Sequence, residues 1–504
     1  MKITWSRISQ VLFLATFFVL FVLTEYRGKD IISAAINSFF RADPLVAVSY
    51  LLSQKTFTVV LLPGILMVLF TVILGRFFCG WLCPLGTILD LVTRCIPKKK
   101  HIGFLKSRFK YYLLFSLLFA AFFNVNLIGI LDPIAIVVRA LTFFFYPLFG
   151  YAVRSTWAGL YRLIGENRDH VSFIFAFFRD HILPFRETFY PLAFLSLILF
   201  VVILVLEHYE KRNWCKNICP LGTLLGLLGM FSPFKRLPSR LCVDCKRCKD
   251  ICPTGFDEEI LQKEDCILCM ECKLKCASKR VRFVLFRRSK ERLGSTFVME
   301  RRVLIGGLLS GFFISKAFLF QSPGRHERLL RPPGVNNEGD FLKKCVRCGE
   351  CMKVCLRSAL YPDLSKGGIY GLFMPVLIPR LGYCEYNCNL CGQVCPTGAI
   401  PNLSLEQKKK SIIGLAAIDK NHCLPYAKKI NCLVCEEHCP IPGKAIHFET
   451  VTDVDYTGKK VTLKRPYIVD ELCNGCGICE NRCPLEGKSA IEVFSARKIS
   501  TSKK

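Results

Sequence analysis

Uncharged apolar stretches dominate the first part of the chain. Four of them, at 8–24, 57–74, 111–131 and 190–206, contain no charged side chain and approach the roughly 20 residues that a helix needs to cross a membrane. A fifth, at 303–320, follows Arg301 and Arg302 and contains only Lys316 as a charged residue. The pattern predicts an α-helical membrane domain of four helices and a later fifth helix that anchors the chain again.

The apolar segment 134–153 differs from these stretches. Arg139 interrupts it, and Pro147 is expected to break a helix there. We therefore expect an interfacial or re-entrant segment rather than a further span.

Two of the predicted helices are followed by the same motif. Cys79-Gly-Trp-Leu-Cys83-Pro-Leu-Gly-Thr follows the second helix, and Cys215-Lys-Asn-Ile-Cys219-Pro-Leu-Gly-Thr follows the fourth. This internal repeat predicts two halves related by a pseudo-two-fold axis, with their cysteines facing each other. The four thiols would suffice for a further metal centre or for a redox dithiol pair. If the segment 134–153 crossed the membrane, the two motifs would instead lie on opposite faces.

Most of the 29 cysteines fall into six tight quartets. Two of them lie just after the membrane domain: Cys242, Cys245, Cys248 and Cys252, and then Cys266, Cys269, Cys272 and Cys276. Their C-x2-C-x2-C-x3-C spacing is typical of bacterial ferredoxins, in which the fourth cysteine of each run binds the neighbouring cluster. Cys276 is thus expected to complete the first [4Fe-4S] site, and Cys252 the second.

Four further quartets lie near the C-terminus: Cys345, Cys348, Cys351 and Cys355; Cys384, Cys388, Cys391 and Cys395; Cys423, Cys432, Cys435 and Cys439; and Cys473, Cys476, Cys479 and Cys483. Structural zinc also takes four cysteines, but zinc ribbons use two C-x2-C pairs with a long spacer. The sequence therefore predicts about six [4Fe-4S] clusters, and iron is the expected metal.

Taken together, these features divide the chain into four predicted domains. They are a membrane domain at 1–230, a two-cluster domain at 231–295, an Arg-Arg leader and anchor at 296–322, and a four-cluster domain at 323–504. Both cluster domains are expected to have ferredoxin-like α+β folds. The Arg-Arg pair is similar to a twin-arginine export signal, but no A-x-A cleavage site follows, so we expect an uncleaved anchor.

The charge distribution and the absence of some sequence motifs exclude several classes of function. The net charge of +30 forms only a diffuse excess near the C-terminus, so a nucleic-acid partner is not expected. Basic flanks at 76–110 and 208–302 place the N-terminus and the two-cluster domain in the cytoplasm, and a spanning segment at 303–320 would place the four-cluster domain in the periplasm. The chain contains no C-x-x-C-H haem motif and no nucleotide-binding loop.

Two families resemble parts of this sequence. Residues 1–290, with paired C-x3-C-P-L-G turns and a two-cluster unit, resemble NapH-type membrane ferredoxins. NosR-type regulators have the same core. Residues 296–497, with Leu-Arg-Pro-Pro-Gly at 330–334 and Cys-Val-Arg-Cys-Gly at 345–349, resemble NapG/MauM-type exported polyferredoxins. The FMN-binding domain of NosR-type proteins has no evident counterpart here.

The resemblance implies a function. It suggests an inner-membrane protein that oxidises quinol from the quinone pool and passes electrons to a periplasmic reductase or related redox protein, as an electron carrier or quinol dehydrogenase component rather than a self-contained enzyme. The alternative is a NosR-like redox-sensing regulator or maturation factor for a periplasmic metalloenzyme.

The resemblance also suggests how the four C-terminal quartets pair. Related four-cluster proteins imply nesting, in which the first run shares cysteines with the last and the second with the third. Cys483 would then complete the first site and Cys355 the last. Sequential pairing is the alternative.

Overall fold

The computed structural model describes residues 5–28, 30–32, 35–95, 108–164, 168–237, 251–254, 265–276, 281–285, 301–320, 328–362, 364, 368–454 and 457–495. The longer helices are α1 (Trp5–Leu23), α2 (Pro44–Gln54), α3 (Leu62–Leu74), α4 (Pro84–Cys95), α5 (Phe109–Phe122), α6 (Pro133–Ala140, π-helical Leu141–Phe145 and Tyr146–Ile164), α7 (Arg168–His181), α8 (Ala193–Tyr209), α9 (Pro220–Gly229) and α10 (Arg301–Phe320).

Antiparallel pairs of short strands complete the described fold. They are β1 (Lys235–Leu237) with β2 (Arg282–Val284), β3 (Leu360–Pro362) with β4 (Pro375–Leu377), β5 (Leu415–Ile418) with β8 (Ile491–Phe494), and β6 (Ile446–Val454) with β7 (Lys460–Ile468). We call residues 251–285 the middle cysteine region and residues 328–495 the C-terminal cysteine region.

The predicted apolar stretches form helices with shifted ends. The stretch 8–24 is α1, 57–74 ends in α3, and 190–206 lies in α8. The stretch 111–131 is divided, because α5 ends at Phe122 and Asn124 adopts a left-handed backbone with φ of 69°. By length and composition, two of the described helices could cross a membrane, Trp5–Leu23 and Pro133–Leu163.

Pro147 does not break the segment 134–153, so that expectation is wrong. α6 runs through it as one helix with a π-helical turn at Leu141–Phe145. Proline lacks an N–H and its ring crowds the carbonyl four residues earlier, and the π turn just before Pro147 widens the helix at that point. The chain before α6 and the chain after α7 both meet the C-terminal cysteine region. Asn126 Nδ2 donates to Lys343 O at 3.3 Å, and the hydroxyls of Thr188 and Ser358 lie 2.5 Å apart.

The repeat extends beyond the cysteine motif. Asp43 caps α2 by accepting from Leu45 N at 2.7 Å, and Asp132 caps α6 by accepting from Ala135 N at 2.7 Å. A proline occupies the first turn of both helices, where its fixed φ favours helix initiation. Across the repeat, α4 packs against α8 and its counterpart α9 packs against α3, as expected for two halves about a shared axis.

Helix α10 packs along α5 in the same direction. A Cβ on Gly306 would meet the ring of Tyr112 at 2.7 Å, and a Cβ on Gly311 would meet Ser116 O at 2.7 Å. The buried positions of α10 recur every four residues, at 303, 307, 311 and 315. Small residues at this spacing let two helix backbones approach closely.

The two cysteine regions contact opposite ends of α1. Near its start, Ser6 Oγ donates to Cys269 O at 2.9 Å and Arg7 Nε donates to Glu271 Oε1 at 2.6 Å. Beyond its end, Lys353 Nζ donates to Thr24 O at 2.5 Å. Because α1 has 19 residues and rises about 1.5 Å per residue, these contacts lie roughly 28 Å apart along the helix.

Candidate iron-sulfur sites

Three cavities in the C-terminal cysteine region are each bordered by four cysteines. Site A is a cavity of about 350 Å³ bordered by Cys345, Cys348, Cys351 and Cys395. Site C is a cavity of about 400 Å³ bordered by Cys423, Cys432, Cys435 and Cys483. Site D is a cavity of about 330 Å³ bordered by Cys473, Cys476, Cys479 and Cys439. Each site combines three cysteines of one run with the fourth cysteine of a neighbouring run.

The remaining cysteines of this region form site B, which comprises Cys384, Cys388, Cys391 and Cys355. Burial, and then the charges of Cys384, Cys388 and Cys355, raise the pKa of Cys391. Burial, and then the charge of Cys388, likewise raise the pKa of Cys355. Cys355 therefore lies beside the second run of cysteines, although it belongs to the first run in sequence.

These contacts show that the nested pairing is wrong and that the sequential alternative matches the structure. Cys355 and Cys395 are exchanged between the first two runs, and Cys439 and Cys483 between the last two. Each exchange joins runs that are close in sequence. The strand pair β3–β4 connects the first two runs, and β5 pairs with β8 around the last two. Exchanging cysteines between adjacent runs closes a shorter loop than joining the first run to the last, and closing a shorter loop costs less conformational entropy.

The sites are arranged in the order A, B, D, C. The two exchanged pairs meet where Cys384 N donates to Cys476 O at 2.9 Å. The charge of Cys384 also acts on Cys476. Sites B and D are thus neighbours, and an electron entering at site A or B would reach site C last.

Burial disfavours the charged form of the thiols in these sites. Burial raises the pKa of Cys345 to about 11 and, with neighbouring cysteines, that of Cys476 to about 12. Metals bind the thiolate and deprotonate a coordinating thiol outright. Within the described segments, no three His, Cys, Asp or Glu side chains are close enough to hold one metal ion. Four thiols around each cavity suit an inorganic core that several thiolates bind together, such as a [4Fe-4S] cluster.

The exchanged cysteines also receive backbone hydrogen bonds. Ala359 N donates to Cys355 Sγ at 3.2 Å, Ile400 N to Cys395 Sγ at 3.4 Å and Ala445 N to Cys439 Sγ at 3.4 Å. Hydrogen bonds to cluster sulfurs stabilise the negative charge there and shift the reduction potential.

The middle cysteine region brings Cys252 to the run that follows it. Burial, and then charges that include Cys252 and Cys272, raise the pKa of Cys266 to about 11. Cys252 acts on Cys269 in the same way. This agrees with the expected role of Cys252 in the second site. Cys242, Cys245 and Cys248 lie outside the described residues.

The two C-x3-C-P motifs meet at the repeat axis. Cys83 interacts electrostatically with Cys79 and Cys215, and Cys219 interacts with all three. The structure therefore brings together Cys79, Cys83, Cys215 and Cys219, which we call the axial thiol quartet. A Cβ on Gly80 would lie 2.2 Å from Ile267 O, so the quartet abuts the middle cysteine region.

Two buried arginines hold the axial thiol quartet together. Arg76 donates to Cys79 Sγ at 3.4 Å and to Cys215 O at 2.7 Å, and Arg212 donates to Cys79 O at 2.8 Å. Each guanidinium lies against the glycine of the opposite motif: a Cβ on Gly222 would lie 2.3 Å from Arg76, and one on Gly86 3.4 Å from Arg212. The glycine in each P-L-G-T turn therefore makes room for the arginine of the other half.

Comparisons with known proteins agree with an iron-sulfur assignment. A family described as a 4Fe-4S dicluster domain matches residues 344–400, and a 4Fe-4S binding domain matches residues 56–103 and 192–238. The methylamine utilization ferredoxin-type protein MauM of Methylobacillus flagellatus is 33% identical over 191 residues, which are 35% of this chain and 76% of that relative. The MauM protein of Paracoccus denitrificans is 35% identical over 176 residues, which are 34% of this chain and 72% of the relative.

The chain belongs to the MauM family of ferredoxin-type proteins. The ferredoxin-type protein NapG of Escherichia coli is also similar, at 36% identity over 151 residues that are 29% of this chain and 63% of NapG. No solved structure matches. The family identifies this chain as a ferredoxin-type iron-sulfur electron-transfer protein.

The matched segments of this MauM-family chain coincide with structural units. The dicluster match at 344–400 contains all eight cysteines of sites A and B, as sequential pairing requires. The 4Fe-4S binding match occurs once in each half of the repeat and covers both pairs of the axial thiol quartet.

Sequence reasoning missed Arg76 and Arg212. Each stands three residues before the first cysteine of its motif, so a comparison of the two halves could have found them.

Proposed function

We propose that this MauM-family protein is a multi-pass inner-membrane electron-transfer protein that oxidises quinol and relays electrons through [4Fe-4S] clusters to a periplasmic redox partner. The observation that carries this proposal is the contact of the two cysteine regions with opposite ends of α1. A helix of this length and composition could cross a membrane.

The ligand assignment follows the geometry of the sites. Sites A to D would each hold one cluster, and Cys252, Cys266, Cys269 and Cys272 would hold another. Cys276 would join Cys242, Cys245 and Cys248 in a sixth. A [4Fe-4S] cluster supplies one-electron transfer with little rearrangement of its ligands. The axial thiol quartet is a candidate for a further redox centre, because it lies beside the middle cysteine region and is held by two cations.

Helix α10 supports the proposed topology. It starts at Arg301 and runs parallel to α5, whose first turn carries Lys110. Lys110 Nζ donates to Asp265 at 2.9 Å, so α10 begins at the level of the middle cysteine region. The basic residues at this end favour the cytoplasmic side. The chain that follows α10 forms the C-terminal cysteine region.

Quinol-driven reduction of the clusters tests the function. The full-length holoprotein, in lipid nanodiscs without oxygen, is mixed with a reduced short-chain quinol, and the visible absorbance of the clusters is followed. We expect bleaching of part of the absorbance that dithionite bleaches. A Cys95→Ser variant, altered at an exposed cysteine outside the sites, should behave as the unaltered protein. Bleaching by dithionite but never by quinol would exclude quinol as the donor.

A further inference from the structure

A cavity of about 420 Å³ lies between the membrane helices and the C-terminal cysteine region. Its membrane-side wall comes from the π turn and the start of the following segment of α6, with Thr142, Tyr146 and Pro147. Its opposite wall comes from the loop around Lys353 and Cys355. Its volume, which includes space open to solvent, is similar to the volumes of the cavities at sites A, C and D.

Two polar groups in the wall lack hydrogen-bond partners. Thr142 is 3% exposed and Glu25 is 7% exposed. Within the described residues, Thr142 Oγ1 and Glu25 Oε2 have no hydrogen-bond partner, although Glu25 Oε2 forms an ion pair with Lys353 Nζ at 3.3 Å. A buried hydroxyl without a partner loses the hydrogen bonds that it would form with water. Both groups line the cavity. A ligand with hydroxyl groups could donate to Glu25 Oε2 and accept from Thr142 Oγ1.

The surroundings are apolar and open towards lipid. Pro147, Pro184 and Phe185 border the cavity. On the adjoining turns of α6, Phe145, Leu148 and Phe149 are exposed. A ligand with a polar ring and a long apolar tail fits both environments.

Cys355, a predicted ligand of site B, forms part of the wall. We therefore propose that this cavity binds the quinol ring, with Thr142 and Glu25 as its polar contacts and site B as the first electron acceptor. This inference rests on the proposed function and names the place where its substrate binds.

Quinol oxidation at this cavity needs acceptors for two electrons and two protons. Breaking the two O–H bonds of a quinol yields quinone, two protons and two electrons. A [4Fe-4S] cluster held by Cys384, Cys388, Cys391 and Cys355 at site B would supply the one-electron acceptor, and the clusters held at sites A and D would receive the electrons from it. Glu25 would take the protons in turn and pass them on to solvent. Burial raises the pKa of the Glu25 carboxyl, and Lys353 opposes that effect.

Direct binding of a quinol analogue tests the inference. The probe is 2-heptyl-4-hydroxyquinoline N-oxide, whose fluorescence falls on binding, titrated into the full-length holoprotein in nanodiscs. We expect Thr142→Val to raise the Kd about tenfold, because one hydrogen bond is worth about 1 kcal/mol or slightly more. Glu25→Gln should weaken binding as well. The matched control is Thr156→Val, because Thr156 lies exposed on the same helix and donates to Ala152 O. Iron content and absorbance of each variant confirm that it is folded and loaded.

The outcomes separate the two proposals. Unchanged binding in Thr142→Val and Glu25→Gln, with quinol still reducing the clusters, would overturn this site and leave the proposed function standing. If the unaltered protein neither binds the probe nor accepts electrons from quinol, the proposed function fails as well. Weaker binding in both variants, with the control unchanged, supports the site.

Discussion

At the scale of single residues, the exchange of Cys355 and Cys395 decides which cysteines share a cluster. Sequential pairing predicts that Cys355→Ala and Cys391→Ala damage the same site. The double variant should then lose about four iron atoms per chain, as each single variant does. Combining Cys355→Ala with Cys479→Ala should cost about eight, because sites B and D are both lost. Iron and protein assays of the purified chain measure these losses.

Nested pairing predicts the reverse for the two double variants. Under nesting, Cys355 and Cys479 share a cluster and Cys355 and Cys391 do not. Cys95→Ala serves as the control, since Cys95 is exposed and outside the sites. An eight-iron loss in the Cys355/Cys391 variant would contradict the sequential arrangement.

Gly129, in the short helix Ile128–Leu131, lies close to the backbone beside site A. A Cβ there would lie 1.7 Å from Val346 O, so Gly129→Ala should force the two apart and destabilise the protein by roughly 1–3 kcal/mol. Gly159→Ala is the matched control: Gly159 also lies in a helix, and nothing is within 4 Å of its Cβ position. There alanine should be neutral or stabilise by up to about 1 kcal/mol. Thermal unfolding in detergent measures both, and equal effects would argue against this contact.

At the scale of elements, the small-residue face of α10 holds it against α5. Replacing Gly311 by leucine would insert a side chain where Ser116 O and Phe119 Cβ lie within 3 Å of a new Cβ. We expect Gly311→Leu to lower the Tm of the protein in detergent. Leu309→Ile, at a position that is 53% exposed, should leave the Tm unchanged. A Tm for Gly311→Leu equal to that of the control would contradict the packing.

Sequence patterns predicted some elements better than others. The apolar stretches gave α1, α3, α5 and α8 because hydrophobic length alone specifies such helices. The course of α6 through Pro147 was not predictable from a rule about single prolines, since that rule does not foresee the π turn at Leu141–Phe145 just before it. Likewise, cysteine spacing predicted the four C-terminal runs of cysteines. Which two runs exchange their fourth cysteine depends on how the loops between them fold around the strand pairs. The cavity beside Cys355 needs both regions in place and leaves no sequence motif.

At the scale of the whole molecule, the contacts at both ends of α1 would place the two cysteine regions on opposite sides of a membrane if α1 crosses it, as we propose. Their separation of roughly 28 Å along the helix matches the apolar thickness of a bilayer. If α1 crosses, no arrangement of the remaining helices can bring both regions to one face without breaking either the Ser6 or the Lys353 contacts.

Reporters at the two termini of the full chain test this topology. We expect alkaline phosphatase, which is active only after export, to be active when fused after Lys504, and a green fluorescent protein fused there to stay dark. A fluorescent protein before Met1 should be bright, because the basic flanks place that end in the cytoplasm. A bright fluorescent protein after Lys504 would put all the clusters on one face. Electrons from the cavity beside Cys355 would then reach a cytoplasmic acceptor, and α1 and α10 would have to be buried helices rather than spans, despite the many large apolar side chains that both expose.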